Sequence, residues 1–353
     1  MLPDLTALNE KRIKGWPWNN ETDPSVYVKE FKWPSISIVV PSFNQGFFIE
    51  ETIRSVLLQN YPLLELIIID GGSSDDSVDV IKKYEKHITC WVSEPDKGQS
   101  HAINKGFSLV TGEIINWLNS DDLLEKDALY HLALAFLKNP SEVFIYGQFV
   151  EFNEYGQLPY RPLPSDDLPG RYFYDFPYAQ PSAFFKRKTL DEIGGVKEDF
   201  RFSMDLDLYI RVACKHSMLK IDTVLSRFRW HSNSKSTNLG DVASEERDKI
   251  FYSLYKSAGF MDCIQLLDHL GLKPKNELNY NPERKELLEY KYSIFIGFLM
   301  DKINAAYIRK NYGFVRKCIK FILMKQPMFV FRKTLLRKTI ALCLPDFVLR
   351  HIQ

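Results

Sequence analysis

Apolar runs and helical spacings alternate along the chain from about residue 35. Strands are predicted where β-branched and apolar residues run without interruption, at 36–40, 64–69, 88–92 and 113–118. Between these runs, apolar residues recur at helical spacing and predict helices over 49–59, from Asp75 or Asp76 to about Lys86, and over 100–109. Strands that alternate with helices favour right-handed crossovers, so the pattern predicts an α/β fold with a mostly parallel sheet and helices on both faces.

Beyond about residue 140 the pattern becomes mixed. It is strand-like at 143–146, helical at 203–213, strand-like at 219–230 and helical from 241 onward, with breaks at Pro282 and Pro327. The first residues are rich in Pro, Trp and Asn and show no sustained period. We therefore predict an irregular arm over 1–34, an α/β domain over 35–240 that divides near residue 122, and a helical, basic extension over 241–353.

Composition excludes several classes of protein. The chain has 353 residues, of which 45% are hydrophobic and 26% charged, so it is neither a disordered tail protein nor a small disulfide-stapled domain. Its 5 cysteines form no CxxC pair, which argues against a zinc site and favours a reducing compartment. The start lacks the apolar core of a signal peptide, and no run of about 18 apolar residues occurs. We expect a cytoplasmic protein, either soluble or peripheral at the inner face of the membrane.

The formal net charge of +1 hides an asymmetry, because residues 301–353 carry 12 Lys and Arg against 2 Asp and Glu. Apolar and basic positions mix at helical spacing over 314–322, and basic pairs follow at 332–333 and 337–338. One hypothesis is that basic amphipathic helices lie on an anionic membrane surface. The other is that they form a bundle packed on the α/β domain. Nucleic acid is not expected as a partner, since the aromatic residues of this tail are typical of a core or an interface.

Polar clusters follow three of the predicted strands, at 41–46, 70–76 and 119–122. In parallel sheets ligands collect beyond the carboxyl ends of the strands, so these clusters mark the expected site. The run Asn119-Ser120-Asp121-Asp122 has two interpretations. Its carboxylates could hold a divalent cation that in turn binds a diphosphate. Alternatively, the run caps a helix that starts near Leu123.

Two later positions are also candidates for chemistry. Asp205 and Asp207 point to different faces of the predicted helix, so one can face a cleft while the other caps the helix or pairs with Arg201 or Arg211. A single positioned carboxylate is what base-assisted attack by a hydroxyl group requires. His231 follows a strand-like segment and is either a metal ligand or an ordinary surface histidine.

Five blocks stand in a fixed order between about residues 34 and 235. They are SIVVPSFNQGFFIEETIRSVLLQNYPLLELIIIDGGSSDDSVDVI, WVSEPDKGQSHAINKGFSLVTGEIINWLNSDD, QPSAFFKRKTLDEIGG, FSMDLDLYIRVA and the histidine His231. In this order they resemble family 2 glycosyltransferases. The resemblance implies a GT-A fold, Rossmann-like with a mostly parallel central sheet, followed here by a helical extension. It also implies transfer of a sugar from a nucleotide-sugar with inversion at the anomeric carbon.

The resemblance carries roles over to individual positions. Residues expected to bind the nucleotide-sugar are Pro41, Ser42, Phe43, Asn44, Asp70, Asp96, Lys97, Gly98, Asn119 and Ser120. Asp205 matches the catalytic base, while Asp121 and His231 match positions that hold Mn²⁺ or Mg²⁺. On this basis the nucleotide-binding half spans about 35–122 and the acceptor-side half about 123–240.

The sequence departs from the family pattern at three positions. Asn119 stands at the first acidic position of the D-x-D motif, Met204 stands where many relatives have Glu, and His101 where Asp is frequent. Asn119 keeps open the alternative of a catalytically weak or silent protein that binds nucleotide-sugars and serves in assembly. No QxxRW-like processive signature occurs, which predicts addition of one or a few sugars.

The expected activity is therefore a metal-dependent, hexosyltransferase-like transfer from a nucleotide-diphosphate sugar, UDP-linked, to a hydroxyl of a glycan or lipid-linked glycan. A dehydrogenase is excluded because the turn after the first strand is PSFNQG and not G-x-G-x-x-G.

Overall fold

A computed structural model describes residues 15–160, 170–174 and 179–328, without the side chain of Tyr172. These residues form two compact units. Unit 1 contains 15–160 and 179–246, and unit 2 contains 170–174 and 247–328. The chain is of mixed α/β class, as the alternating pattern predicts.

The strands of unit 1 belong to one sheet. They are β1 (Ile36–Ser42), β2 (Leu64–Asp70), β3 (Cys90–Ser93), β4 (Ile114–Trp117), β5 (Leu123–Leu124), β6 (Phe144–Asn153), β7 (Gly156–Gln157), β8 (Ala183–Lys186) and β9 (Leu219–Arg229). The order is β3-β2-β1-β4-β8-β6-β9-β5, with β7 paired to β6. Strands β1 to β4 are parallel, whereas β8 is antiparallel to both of its neighbours. The carboxyl ends of β1 to β4 therefore share one edge of the sheet.

Helices connect these strands and make up unit 2. In unit 1 they are α1 (Ile49–Leu57), α2 (Ser77–Tyr84), α3 (Gln99–Phe107), α4 (Ala128–Lys138), α5 (Lys188–Ile193), α6 (Met204–Ala213) and α7 (Lys235–Asn238). Helix α8 (Gly240–Ser257) begins in unit 1 and ends in unit 2. Unit 2 continues with α9 (Met261–His269), α10 (Lys285–Glu289), α11 (Lys291–Ile308) and α12 (Tyr312–Lys325). Short 3-10 turns lie at Pro24–Val26, Glu85–His87, Arg171–Phe173 and Gln180–Ser182.

The apolar runs become central strands because both of their faces are covered. All seven residues of β1 are buried, including Ser42 at its end. Helix α3 packs closely on this strand, since a Cβ atom added at Gly106 would lie 2.2 Å from Val39 Cγ1. Only glycine allows that approach, which fixes the height of α3 above the sheet.

Two details of the predicted elements are wrong. Asn119–Asp122 does not cap a helix at Leu123, because Leu123 and Leu124 are extended and pair with Arg227 and Ser226 of β9. The next helix begins only at Ala128. Strand β3 also starts at Cys90, two residues later than the apolar run suggests. Burial of the two leucines stabilises extended pairing here more than capping would stabilise a helix.

The described part of the arm packs on unit 1. The side chains of Trp18 and Trp33 are buried, and the indole N–H of Trp16 donates to the Leu124 carbonyl at 2.8 Å. Arg54 of α1 is 4% exposed. Its guanidinium donates to the carbonyl oxygens of Pro17 and Trp18 at 3.1 and 2.9 Å. The arm thus satisfies a buried cation.

Unit 2 is a helical bundle in which α11 packs on α12. Phe295 and Phe321 meet with ring centroids 5.4 Å apart. Val315, Ile319 and Ile322, the apolar positions of α12, are buried. The apolar face of this predicted amphipathic helix is therefore occupied by protein.

Two salt bridges join helices of unit 2. The Asp262 carboxylate accepts from Lys291 Nζ at 2.6 Å and from Lys325 Nζ at 2.7 Å, which ties α9 to α11 and α12. Among the described residues, no helix has both the length and the apolar character that crossing a bilayer requires.

Candidate active site

The ends of β1 and β2 are held together by side chains of the loops that follow them. Asn44 has a φ of 52°, in the left-handed region that asparagine tolerates better than most residues. Its backbone N–H donates to Ser73 Oγ at 2.7 Å, and its side-chain Oδ1 accepts from the backbone N–H of Ser74 at 2.9 Å. Phe43, next to it, is 59% exposed. The loop after β1, the first segment predicted to bind the nucleotide-sugar, is thus anchored at Asn44, and the ring of Phe43 is exposed.

Asp70, at the end of β2, is fully buried. Its Oδ2 accepts from the backbone N–H groups of Gly72 and Ser73 at 3.2 and 2.9 Å, and from Ser93 Oγ at 2.7 Å. Ser73 Oγ donates to the other oxygen at 2.5 Å. These bonds give Asp70 a clear local effect, which is to fix the turn after β2 and join it to the end of β3.

The Asp96-Lys97-Gly98 segment lies beside that turn. A Cβ atom at Gly71 would lie 2.7 Å from Asp96 Oδ2, so the absence of a side chain at Gly71 lets the Asp96 carboxylate lie close to the turn. The backbone N–H of Gly98 donates to Asp96 Oδ1 at 2.7 Å, which shapes the entry into α3. Lys97 is exposed. Three of the polar segments predicted from sequence therefore adjoin one another.

Asn119 connects this group to a loop from the far end of the domain. Gln99 Nε2, in the first turn of α3, donates to Asn119 Oδ1 at 2.7 Å. Lys235 Nζ donates in turn to Gln99 Oε1 at 2.7 Å and to the Arg201 carbonyl at 3.3 Å. The Lys235 cation thus lies between the end of β4 and the segment that leads into α6.

Asp121 and His231 come together although they are far apart in the sequence. His231 Nε2 and Asp121 Oδ2 are 3.0 Å apart, and both side chains are mostly buried, with 13% and 21% exposed. The imidazole also packs against the ring of Phe48, with centroids 4.5 Å apart. One carboxylate and one imidazole therefore meet at the carboxyl end of β4.

Arg229, the last residue of β9, fixes the backbone beneath this pair. Its Nε donates to the Asp121 carbonyl at 2.7 Å, and its guanidinium also pairs with Glu51. The same cation lies over the ring of Phe48, 5.0 Å from the centroid, and over that of Phe152 at 4.3 Å. The orientation of the Asp121 peptide is thereby set by a side chain from another strand.

Asp122 faces inward and is 1% exposed. Its Oδ1 accepts from the backbone N–H of Arg229 at 2.9 Å. Burial, and then the neighbouring charge of Asp121, raise the pKa of Asp122 well above its usual value. Its role in the structure is to join the Asp121 loop to β9.

The two carboxylates of α6 have different surroundings, as their spacing predicts. Asp207 is fully buried and forms salt bridges of 2.9 Å with both Lys197 and Arg211. Asp205 is partly exposed, and its Oδ1 accepts only from the backbone N–H of Leu206, at 2.8 Å, among the described bonds. Of the two carboxylates, Asp207 is therefore the one whose charge is compensated by salt bridges, while Asp205 remains partly exposed.

Burial, and to a smaller extent the negative charge of Glu246, together raise the pKa of Asp205 to about 6, against the hydrogen bond from Leu206. Tyr209, one turn later in α6, stacks on Trp117 with ring centroids 5.9 Å apart. Trp117 is the last residue of β4, so α6 carries Asp205 over the end of the strand that leads to Asp121.

Among the described residues, the structure links the predicted segments at 41–44, 70, 96–98 and 119–121 to one another and to His231. Asp205 is linked to them through the Arg201 segment and Lys235. The sequence reasoning missed Gln99, Arg229, Lys235 and Glu246 as contributors. The sequence shows only that such residues are polar or charged, in some cases beside a predicted strand end or helix start. It does not show which residue each of them contacts.

A cavity of about 290 Å³ lies beside the loops that follow β1 and β2. Its lining is Trp18, Gly46, Phe47, Glu50, Glu51, Asp75 and Asp76. Four carboxylates would repel a diphosphate, so this cavity does not suit an anionic donor.

Comparison with known proteins identifies the family of this chain. Residues 37–196 match the family model described as glycosyl transferase family 2. An uncharacterised glycosyltransferase of Mycobacterium tuberculosis is 30% identical over 202 residues, which cover 55% of this chain and 75% of that protein. An uncharacterised glycosyltransferase of Rickettsia conorii is 31% identical over 199 residues, 55% of this chain and 32% of that protein. The chain thus spans about a third of the length of this Rickettsia relative.

Two further comparisons are informative. The putative teichuronic acid biosynthesis glycosyltransferase TuaG of Bacillus subtilis is 37% identical over 99 residues, 27% of this chain and 39% of that protein. The crystal structure of Staphylococcus aureus TarS 1–349 with UDP-GlcNAc superposes with a TM-score of 0.56 at 14% identity, covering 82% of this chain and 81% of that chain. At this identity the likeness is one of fold, and it confirms the GT-A architecture that the sequence blocks predict.

Proposed function

Because the chain belongs to glycosyl transferase family 2, we propose that it transfers a single hexose-like sugar from a UDP-sugar to a hydroxyl group of a glycan or lipid-linked glycan, with inversion at the anomeric carbon. TarS, a solved structure with a similar fold, was crystallised with UDP and with UDP-GlcNAc, which supports a uridine nucleotide here. TuaG is named for teichuronic acid biosynthesis, which supports a glycan acceptor.

The observation that carries this proposal is the 3.0 Å contact between Asp121 and His231 at the carboxyl end of β4. Ligands of parallel sheets gather at this edge. The adjoining segments at 41–44, 70, 96–98 and 119–120 would then form the nucleotide side, and Asp205 on α6 would face the acceptor.

The same two residues suit a divalent cation. Among the described residues, no three His, Cys, Asp or Glu side chains cluster as a self-contained metal site. Mg²⁺, however, is usually bound by one or two protein ligands together with substrate phosphates. Asp121 and His231 supply one oxygen and one nitrogen at such a point. Mn²⁺ or Mg²⁺ held there would stabilise negative charge on the departing diphosphate.

Asp205 would act on the acceptor. Its carboxylate would accept the proton of the attacking hydroxyl while that oxygen bonds to the anomeric carbon and the bond to the diphosphate breaks. Attack from the face opposite the leaving group inverts the anomeric centre in one displacement. A pKa of about 6 keeps the carboxylate mostly ionised at neutral pH and leaves it basic enough to accept the proton.

Thermal unfolding with a panel of nucleotide-sugars, with and without Mn²⁺, tests the donor class. UDP-sugars should raise Tm in a concentration-dependent way, and GDP- and dTDP-sugars should raise it less. A ligand present at about 100 times its Kd stabilises the native state by about 2.7 kcal/mol. The absence of any shift with every donor would contradict the proposal.

The alternative of a silent binding protein rests on Asn119. The Asn119 side-chain oxygen accepts a hydrogen bond from Gln99, so this position contributes to the structure of the site without a carboxylate. Slow hydrolysis of UDP-GlcNAc to UDP in the absence of an acceptor distinguishes a transferase from a binding protein. A transferase should release UDP and lose that release when Asp205 is replaced, whereas a binding protein should bind the donor and release none.

We also propose that the basic tail contacts an anionic membrane surface. Because the apolar face of α12 is buried, this proposal now rests on the basic pairs at 332–333 and 337–338, which lie outside the described residues. The full chain should sediment with phosphatidylglycerol vesicles. The variant with Arg332, Lys333, Arg337 and Lys338 all replaced by Glu should sediment several-fold less. A matched control replaces Lys273, Lys275, Lys285 and Arg309 of unit 2, and equal sedimentation of both variants would contradict the proposal.

A further inference from the structure

The N-terminus of α6 is held by a carboxylate from another helix. The consecutive backbone N–H groups of Arg201, Phe202 and Ser203 donate to the Glu246 carboxylate at 2.8, 3.0 and 2.7 Å. Ser203 is the N-cap residue of α6, and its own side chain makes no capping hydrogen bond. Glu246, from α8, therefore provides acceptors for the backbone N–H of the N-cap residue and for those of the two residues before it.

This contact lies directly before Asp205. Asp205 is the second residue of α6, so the backbone that Glu246 holds also sets the direction in which the Asp205 side chain leaves the helix. The other face of that segment is held as well, since Lys235 Nζ donates to the Arg201 carbonyl at 3.3 Å. The start of α6 is thus fixed between a carboxylate and a cation, neither of which belongs to it.

We propose that Glu246 is a positioning residue for Asp205, which holds the start of α6 so that the base meets the acceptor hydroxyl in a productive geometry. This inference rests on the proposed function. Residue 246 lies beyond the part of the chain that matches the family model, so family similarity does not assign it a role.

Glu246 also acts electrostatically. Four titratable or charged groups are described around Asp205. They are Tyr209 on α6, Glu246 on α8, Arg201 before α6 and Lys235 on α7. The Glu246 charge raises the pKa of Asp205, although burial has the larger effect. Replacing the carboxylate by an amide of the same shape should therefore lower the pKa of Asp205 while leaving one hydrogen-bond acceptor.

The test compares Glu246→Ala and Glu246→Gln with Glu245→Ala, an exposed carboxylate on the same helix. UDP release from UDP-GlcNAc and from UDP-glucose with Mn²⁺ gives kcat and the donor KM. Glu246→Ala should lose roughly 10²-fold in kcat, because a displacement of about 1 Å can cost that much, with the donor KM within about twofold of the parent. Glu246→Gln should lose less, and its acid limb should lie at lower pH. Glu245→Ala should match the parent protein.

A second measurement does not depend on turnover. In protein labelled with ¹³C-carboxyl aspartate, the resonance absent from Asp205→Asn identifies Asp205, and its titration midpoint should fall in Glu246→Gln. Unchanged kcat in Glu246→Ala, or an unchanged midpoint in Glu246→Gln, would overturn the inference while the proposed function stands. No UDP release from the parent protein with any donor would instead contradict the proposed function, and the shifted midpoint would still support the link between Glu246 and Asp205.

Discussion

Asp205→Asn should reduce kcat by roughly 10²- to 10⁴-fold, the range that general base catalysis usually contributes, while the donor still raises Tm as in the parent protein. The asparagine keeps the shape of the side chain and its bond from Leu206 but cannot accept the acceptor's proton. Sugar transfer and donor-dependent Tm shifts, measured on the same preparations, check both parts of this expectation. Near-parent turnover would show that the base lies elsewhere.

The neighbouring carboxylate provides the matched control. Asp207 is fully buried between Lys197 and Arg211, so Asp207→Asn should lower Tm by breaking these salt bridges. Asp205→Asn should leave Tm unchanged or raise it at pH 7, because a carboxyl with a raised pKa is less favourable when ionised in the folded state than in the unfolded one. A fall in Tm in both variants would show that the loss of activity reflects unfolding.

The pH dependence follows from the same group. Because the pKa of Asp205 is raised to about 6, kcat/KM should fall as the pH drops through about 6, where the base becomes protonated. Stability should change in the opposite direction. The native state binds this proton more tightly than the unfolded state does, so the Asp205 contribution to stability is lost as the pH rises from about 4 to about 6. Asp205→Asn should remove that component.

Asp121→Asn should reduce kcat/KM by roughly 10²- to 10³-fold, the usual effect of losing one contact that stabilises the charge of a leaving oxyanion, because the cation that would provide this contact loses its carboxylate ligand. The variant should also lose the additional Tm increase that Mn²⁺ gives in the presence of UDP. The reason is local, since the amide removes the negative charge at the 3.0 Å contact with His231. Calorimetric titration of Mn²⁺ into the protein with UDP measures the affinity for the cation in the variant and in the parent protein.

His231→Gln should behave like a weaker form of the same variant, and His87→Gln, an exposed histidine, should not differ from the parent protein. An undiminished response of Asp121→Asn to Mn²⁺ would place the cation elsewhere. The loop itself should remain folded in both site variants, because the Asp121 carbonyl is held by Arg229 independently of either side chain.

The elements that the sequence predicts well are those whose signal lies within a few residues. The apolar runs of β1, β2 and β4 place their own ends, and with them the polar segments at the sheet edge. The prediction of a helix at Leu123 is wrong because the strand that pairs with this segment lies far away in the sequence. Leu123 and Leu124 pair with Arg227 and Ser226, and no local pattern reveals that this partner will be available.

The same limit applies to the site. Asp121, Asp205 and His231 can be proposed from motifs, since each motif keeps its spacing along the chain. The groups that position them cannot, because Arg229 reaches the Asp121 carbonyl, and Glu246 the start of α6, across long stretches of sequence. Such partners depend on how the strands and helices pack, which the one-dimensional pattern does not specify.

The hydrogen bonds between Arg54 and the N-terminal arm have a practical consequence for the design of a shorter version of this protein. The match to the family model begins at residue 37, yet two of the oxygens that accept hydrogen bonds from this buried guanidinium belong to Pro17 and Trp18, the third being the Tyr84 hydroxyl. Trimming the chain to the region of similarity would remove both of these acceptors and the Trp18 ring that packs against the guanidinium. Expression boundaries for the catalytic unit should therefore follow hydrogen-bond partners and not the edges of an alignment.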